Sequence, residues 1–248
     1  MEKIKSGVDG VDELLSGGFP KGKIVMVSGS SGCGKTIFAA QFLYEGLKKR
    51  EPCVFITLEQ SKAKLIDDLA EIGVEFAKYE KDGLLRVIGG PVGHVKYFKE
   101  KTKASILDIA DEIAEVIKEI GAKRVVLDSV NLFTMLFETE LEQRRAMADL
   151  VAVLGDLACT SLLTCEVKEN TDNISWHGFE EFVVDGVIVL YRKPFGNKYE
   201  RAISVIKMRG VNHSQRVVSL QITKQGIVAF PDREPYFEML NGGKKGGN

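Results

Sequence analysis

Eight consecutive residues constrain this chain more than any others. Gly29-Ser30-Ser31-Gly32-Cys33-Gly34-Lys35-Thr36 satisfies G-x-x-x-x-G-K-[ST] throughout, between an apolar run, Ile24–Ser28, and a helical pattern, Lys35–Lys48. Strand, glycine-rich loop and helix in that order make a cradle for phosphate. Glycines let the loop wrap so closely that backbone N–H groups point inward, and the helix N-terminus adds partial positive charge. A lysine at the seventh place reaches the β- and γ-phosphates of a nucleoside triphosphate, and a hydroxyl at the eighth binds Mg²⁺. Gly29, Ser30, Ser31, Gly32, Cys33, Gly34, Lys35 and Thr36 are therefore expected to bind triphosphate, with Thr36 also on the metal. Cys33 has two readings: a thiolate favoured by the helix N-terminus and open to oxidation, or a small residue filling an unconstrained place.

The rest of the pattern supplies the sheet such a loop needs. Cys53–Leu58, Leu84–Ile88, Arg124–Asp128 and Ser161–Thr164 are short β-branched runs. Helical stretches at Lys62–Ile72 and Glu140–Leu157 separate them, and Ile106, Ile109, Ala110, Ile113, Val116, Ile117 and Ile120 recur at three- and four-residue steps. Alternation of this kind predicts parallel βαβ units with helices on both faces. Beyond Glu180 the rhythm changes. Val183–Tyr191, Tyr199–Met208, Arg216–Ile222 and Gly226–Phe230 follow one another without helices, which predicts hairpins or an antiparallel extension of the sheet. The expected fold is thus α/β: a mostly parallel twisted sheet flanked by helices, with antiparallel strands added toward the C-terminus. One domain is read over 1–240 and a flexible Gly/Lys tail over 241–248.

Composition narrows the partners. The 248 residues are 44% hydrophobic, and 34 Lys+Arg oppose 35 Asp+Glu for a net charge of −1. A disordered chain would be poorer in apolar residues, and a DNA-coating one would be strongly basic. The four cysteines, Cys33, Cys53, Cys159 and Cys165, form no CxxC pair. Neither a disulfide framework nor a structural zinc is expected. Met1–Lys5 lacks the apolar run of a signal peptide, and no stretch approaches the ~20 apolar residues of a membrane helix. A soluble, cytoplasmic protein is the expectation.

Two carboxylates complete the chemistry. Asp128 ends an apolar strand and so emerges at the C-terminal edge of the sheet, where such folds bind ligands. It is the candidate second holder of Mg²⁺, through water, the alternative being a helix or turn cap with Ser129. Glu59 follows Cys53–Leu58 at the same edge. It can orient or deprotonate an attacking water, or merely start a helix whose dipole favours an acid.

Longer segments resemble a known family. Ser6-Gly7-Val8-Asp9-Gly10-Val11-Asp12-Glu13-Leu14-Leu15-Ser16-Gly17-Gly18-Phe19-Pro20-Lys21-Gly22, leading into the loop, looks like the opening of KaiC and RadA ATPases of the RecA-like superfamily. Phe55–Glu59 resembles the strand carrying the family's catalytic glutamate, and Leu127-Asp128-Ser129 its metal-binding strand. Glu181–Leu190 and Ile206–His213 look specifically like KaiC. The resemblance runs from about Ser6 to Pro231. It implies a RecA-like P-loop fold, ATP and Mg²⁺ as cofactors, and a ring of identical subunits, a hexamer. It places Glu59 as the water-activating acid. It also implies that Lys207, Met208 and Arg209 belong to a K-x-R-G motif reaching the γ-phosphate bound by the neighbouring subunit, and that His213 contacts nucleotide nearby. From spacing alone, Lys207 and Arg209 are two residues on one face of a strand.

The chain departs from the family at several places. Gln60 stands where a second acid often follows the first, and Val211 where a hydroxyl residue can occur. Glu181-Phe182 occupies the place of a Ser-Thr phosphate-acceptor pair, so an ATPase-type module is expected rather than an autokinase. The alternatives are a RadA-like recombination ATPase on DNA, a nucleotide-gated scaffold, or a kinase acting on another protein. Against DNA, the segment Val167–Phe179 and its flanks carry Glu166, Glu169, Asp172, Glu180 and Glu181 around the lone Lys168, though Trp176, His177 and Phe179 can stack. Lys96, Lys99, Lys101 and Lys103 form a basic cluster, read as a solvated loop. Asn197-Lys198-Tyr199-Glu200 approaches a guanine-reading pattern but ends in Glu and is read as a hairpin turn, which favours ATP over GTP.

Overall fold

The computed structural model describes residues 1–90, 106–169, 171 and 173–237. The Lys96–Lys103 cluster and the 241–248 tail lie outside them. The elements in order are β1 (Lys3–Ile4), α1 (Val11–Leu14), β2 (Phe19–Pro20), β3 (Ile24–Gly29), α2 (Lys35–Lys48), β4 (Cys53–Thr57), α3 (Lys62–Ala70), α4 (Phe76–Lys81) and β5 (Leu85–Gly89). They continue with α5 (Ile106–Ile120), β6 (Arg124–Asp128), α6 (Val130–Thr134), α7 (Glu140–Asp156), β7 (Thr160–Glu166), α8 (Glu180–Val183), β8 (Gly186–Phe195), β9 (Lys198–Met208), β10 (Val218–Thr223) and β11 (Gly226–Phe230).

Nine strands form one sheet in the order β11-β10-β9-β8-β3-β7-β6-β4-β5. From β5 to β8 every pairing is parallel. The pairs β8–β9, β9–β10 and β10–β11 are antiparallel. The expected hairpins and antiparallel extension are present from β8 to β11; on its other side β8 pairs parallel to β3. The expected strand start at Val183 moves. Glu180 is fully buried and its carboxylate accepts backbone N–H groups of His177 and Phe179, which winds that stretch into the short α8. The strand then opens at Gly186.

Alternation along β3 shows how the sheet is covered. Val25 and Val27 face one core with Phe38, Phe42 and Phe55, while Ile24 and Met26 face the other with Ile113, Leu150 and Leu154. A Thr139–Glu142 capping box starts α7 and fixes where it enters the second layer.

One buried cation ties the first layer together. Arg124 is 1% exposed, donates to Glu51 at 2.6 Å and to the carbonyls of Lys5 and Phe42 at 2.8 and 2.9 Å, and stacks over the Phe42 ring. Truncation strands the acceptors and leaves a cavity. Arg124→Ala is expected to lower the unfolding free energy by about 3 kcal/mol. Urea denaturation checks this, and a loss below about 1 kcal/mol would show the tie to be dispensable.

Candidate nucleotide-binding site

The P-loop joins β3 to α2 at the C-terminal edge of the parallel strands. Gly34 has φ +110°, a conformation side chains rarely adopt, and a Cβ there would meet Ile227 Cδ1 at 2.9 Å. At Gly29 a Cβ would lie 2.4 Å from the Leu190 carbonyl oxygen, so the loop leaves the sheet only because that residue has no side chain. Lys35 is buried, its ammonium held by the carbonyls of Gly29 at 2.9 Å and Ser30 at 3.1 Å. That contact stations the charge over the loop's own concavity.

The two proposed metal holders meet. Thr36 Oγ1 donates to Asp128 Oδ2 at 2.9 Å, and the Thr164 hydroxyl donates to Asp128 Oδ1. Asp128 is 1% exposed, and burial pushes its carboxyl above the usual range, against the pull of those two hydroxyls and of Lys35. A buried carboxylate so disfavoured gains from a cation beside it. One hydroxyl and one carboxylate oxygen, completed by phosphate and water, suit Mg²⁺.

Glu59 reaches the same space. A cleft of about 490 Å³ is lined by Lys35, Thr36, Glu59, Ser129, Asn131 and Glu166, with Trp176 at its wall. Partial desolvation, and next the charge of Asp128, raise the Glu59 carboxyl above its ordinary value. A more basic carboxylate is a better proton acceptor.

Sequence reasoning missed three groups here. Thr164 steadies Asp128. Glu166 ends β7 in the cleft. Asn131 Oδ1 accepts the Glu166 N–H at 2.6 Å and its amide donates to the Glu166 carbonyl at 3.3 Å. Glu166 was findable by the same strand-end rule that picked Asp128. Thr164 and Asn131 emerge only from the pairing of β6 beside β7.

Other candidates fall elsewhere. Cys33 is fully buried in the core and burial pushes its thiol up, which overturns the thiolate reading and leaves that of a small space-filling residue. All four cysteines are buried and free. Met208 is buried against Gly186. Lys207 donates to the carbonyls of Glu181 and Val184 at 3.0 and 2.7 Å, and burial, then the neighbouring Arg209 charge, lower its affinity for a proton. Arg209 is exposed and lies 3.8 Å from Asp185. His213 is bonded to the Ser214 carbonyl at 2.9 Å. Lys207 is opposite Val187, which pairs with Met26, whereas Gly29 pairs with Leu190. Three residues along and two strands across put Lys207 about 14 Å from Gly29. The K-x-R-G cations therefore do not meet their own protomer's cleft.

A mostly parallel sheet with antiparallel strands on one edge, a P-loop after the strand β3 and a carboxylate at the end of β6 define a RecA-like nucleoside-triphosphate-binding protein. A family profile described as "ATPase: KaiC" matches residues 4–234. A UPF0273 protein of Thermotoga maritima is 36% identical over 238 residues, covering 93% of this chain and 97% of that one. The circadian clock oscillator protein KaiC of Picosynechococcus is 33% identical over 235 residues, 93% of this chain but 45% of the clock protein. The crystal structure of the KaiC-like protein PH0186 from Pyrococcus horikoshii superposes with a TM-score of 0.82 at 35% identity, covering 93% of this chain and 99% of that one. The chain belongs to the KaiC ATPase family. Membership supports nucleotide binding and ATP hydrolysis as its general activity. Among the described residues no helix is long and apolar enough to cross a membrane.

Proposed function

We propose that the chain is a Mg²⁺-dependent ATPase of regulatory type whose active sites lie between subunits of a ring, six being the expected number. The observation that carries this is a division of labour. Lys35, Thr36, Asp128 and Glu59 share one edge of the sheet, whereas Lys207 and Arg209 stand too far from it to serve the same cleft. A neighbouring copy has to bring its cations to the γ-phosphate.

In this reading the loop amides and Lys35 hold the triphosphate. Thr36 and Asp128 would hold Mg²⁺, which neutralises charge on the β- and γ-phosphates. Glu59 aligns the attacking water and takes its proton. Lys207 and Arg209 of the next subunit stabilise charge on the transferred phosphoryl oxygens. His213, at the turn beyond β9, rides with them toward the neighbour's nucleotide. The acids flanking Val167–Phe179 repel a phosphate backbone, so that segment is not a nucleic-acid grip.

MgATP is expected to stabilise the protein by about 2.7 kcal/mol at one hundred times its dissociation constant, with phosphate released from the same sample. Lys35→Ala should erase the thermal shift and the turnover together. Mass measurement with and without MgATP should show a ring forming or tightening. No thermal shift at millimolar MgATP would defeat the proposal, and a strictly monomeric particle that still turned over would defeat its intersubunit half.

A further inference from the structure

Arg201 of the β8–β9 hairpin donates to the Gly32 carbonyl of the P-loop at 3.2 Å, but toward its tip the hairpin carries cations and rings that the ATPase reading leaves unused. Its tip, Gly196-Asn197, is at the far end of β9 from Lys207, about 30 Å away along the strand. Two clefts flank it, of about 400 and 370 Å³, and Tyr199 lines both. Arg192 and Lys193 of the hairpin line the first, facing Lys168 and Glu169 of the Val167–Phe179 segment among the described residues. Lys198, Arg201 and Arg233 line the second against Glu200. Glu200 is already engaged: its two carboxylate oxygens accept the backbone N–H groups of Tyr236 and Phe237 at 3.1 and 3.2 Å. The protein as a whole carries a net charge of −1, so this concentration of cations is local.

The cations come with flat surfaces. Tyr199 is 54% exposed, with the Arg192 guanidinium 3.6 Å from its ring centroid. Tyr236 is 57% exposed and stacks on Phe195 at 5.8 Å and 21°. Arg192 and Arg201 stand directly opposite one another across the hairpin. Like charges so placed oppose folding, and the Nε atoms of both are buried without a hydrogen-bond partner. A polyanion laid along the hairpin relieves that repulsion. Exposed aromatic rings interleaved with cations select a polyanion that also has planar bases, because a base stacks on tyrosine whereas an acidic peptide offers it nothing.

We propose that the β8–β9 hairpin is a docking surface for single-stranded nucleic acid, with phosphates along its lysines and arginines and bases on Tyr199 and Tyr236. The segment Val167–Phe179 forms the opposite wall of the first cleft, but the proposed contacts are on the hairpin and beside it, and they do not depend on the ATPase assignment.

The test uses fluorescence anisotropy of labelled oligo-dT and oligo-rU twenty-mers, with phosphate release followed on the same protein. Binding is expected, and with about four phosphate contacts it should weaken ~50-fold between about 50 and 200 mM salt. The double variant Lys193→Glu/Lys198→Glu should lose more than tenfold in affinity, and Tyr199→Ala about tenfold through lost stacking. All three positions are exposed, and basal phosphate release should stay at the wild-type level in each variant. The DNA and RNA arms show which sugar is preferred, and binding of either supports the proposal. Absence of binding at low salt would overturn it, as would wild-type affinity in either variant. Poly-glutamate competing as well as the oligonucleotide would overturn it in favour of an acidic protein partner.

Discussion

Arg209→Ala should lower ATP turnover by about 10³–10⁵-fold, the usual effect of removing a positioned arginine from phosphoryl transfer, while ATP binding stays intact. Arg209 is exposed, and its contact with Asp185 is a loose 3.8 Å, so the protomer should fold without it. Mixing makes the measurement decisive. A Lys35→Ala subunit has a dead cleft but a sound Arg209. An Arg209→Ala subunit has the reverse. Each is inactive alone, yet a ring containing both has interfaces where an intact cleft faces an intact finger. Phosphate release should therefore reappear on mixing. Full activity in Arg209→Ala alone would remove the finger from the mechanism, and failure of the mixture to recover would mean that Arg209 does not act across an interface.

Glu59→Gln is expected to cost about 10²–10⁴-fold in kcat, the range for a lost general base, without weakening ATP binding or assembly. The side chain keeps its size, and the cleft loses one negative charge near Asp128. The pH dependence carries more information than the rate. Glu59 works as the carboxylate, so activity falls as pH drops through its pKa. Desolvation and the charge of Asp128 raise that pKa in the free protein. The acid limb of kcat/KM, which reports the free enzyme, should thus lie above the ordinary glutamate value. In Glu59→Gln that limb should vanish from the residual activity. A limb unchanged in the variant would assign the titration to another group.

How much of this could be read in the sequence depended on how local each cause is. α2, β6 and β11 occupy the residues that pattern alone assigns, Lys35–Lys48, Arg124–Asp128 and Gly226–Phe230. In each, the apolar period and its terminating residue lie within one element. The placement of Asp128 and Glu59 at the ligand edge was legible for the same reason, because a strand end points there whatever its neighbours are, whereas the pattern alone left the role of Glu59 open. The parallel entry of β8 was not legible. It requires β3 to lie between β7 and β8, a non-local choice with no mark in the residues of β8. Thr164 and Asn131 stayed hidden likewise, since their partners come from adjoining elements. Val183 was read as the start of a strand because Val183 and Val184 favour one, whereas the buried Glu180 carboxylate winds the turn ending at Val183 through bonds to the residues before it. Lys207 and Arg209 gave no local sign beyond sharing a strand face. Their distance from Gly29 follows from sheet register.

The inward aim of the Cys33 side chain has a practical consequence. A sulfur sealed beneath the phosphate cradle, with its proton held more firmly than usual, offers nothing to iodoacetamide or maleimide. Alkylation of the native fold should leave nucleotide uptake untouched, and peroxide should spare it too, so chemical trapping of thiols can serve as a clean gauge of global unfolding in this molecule.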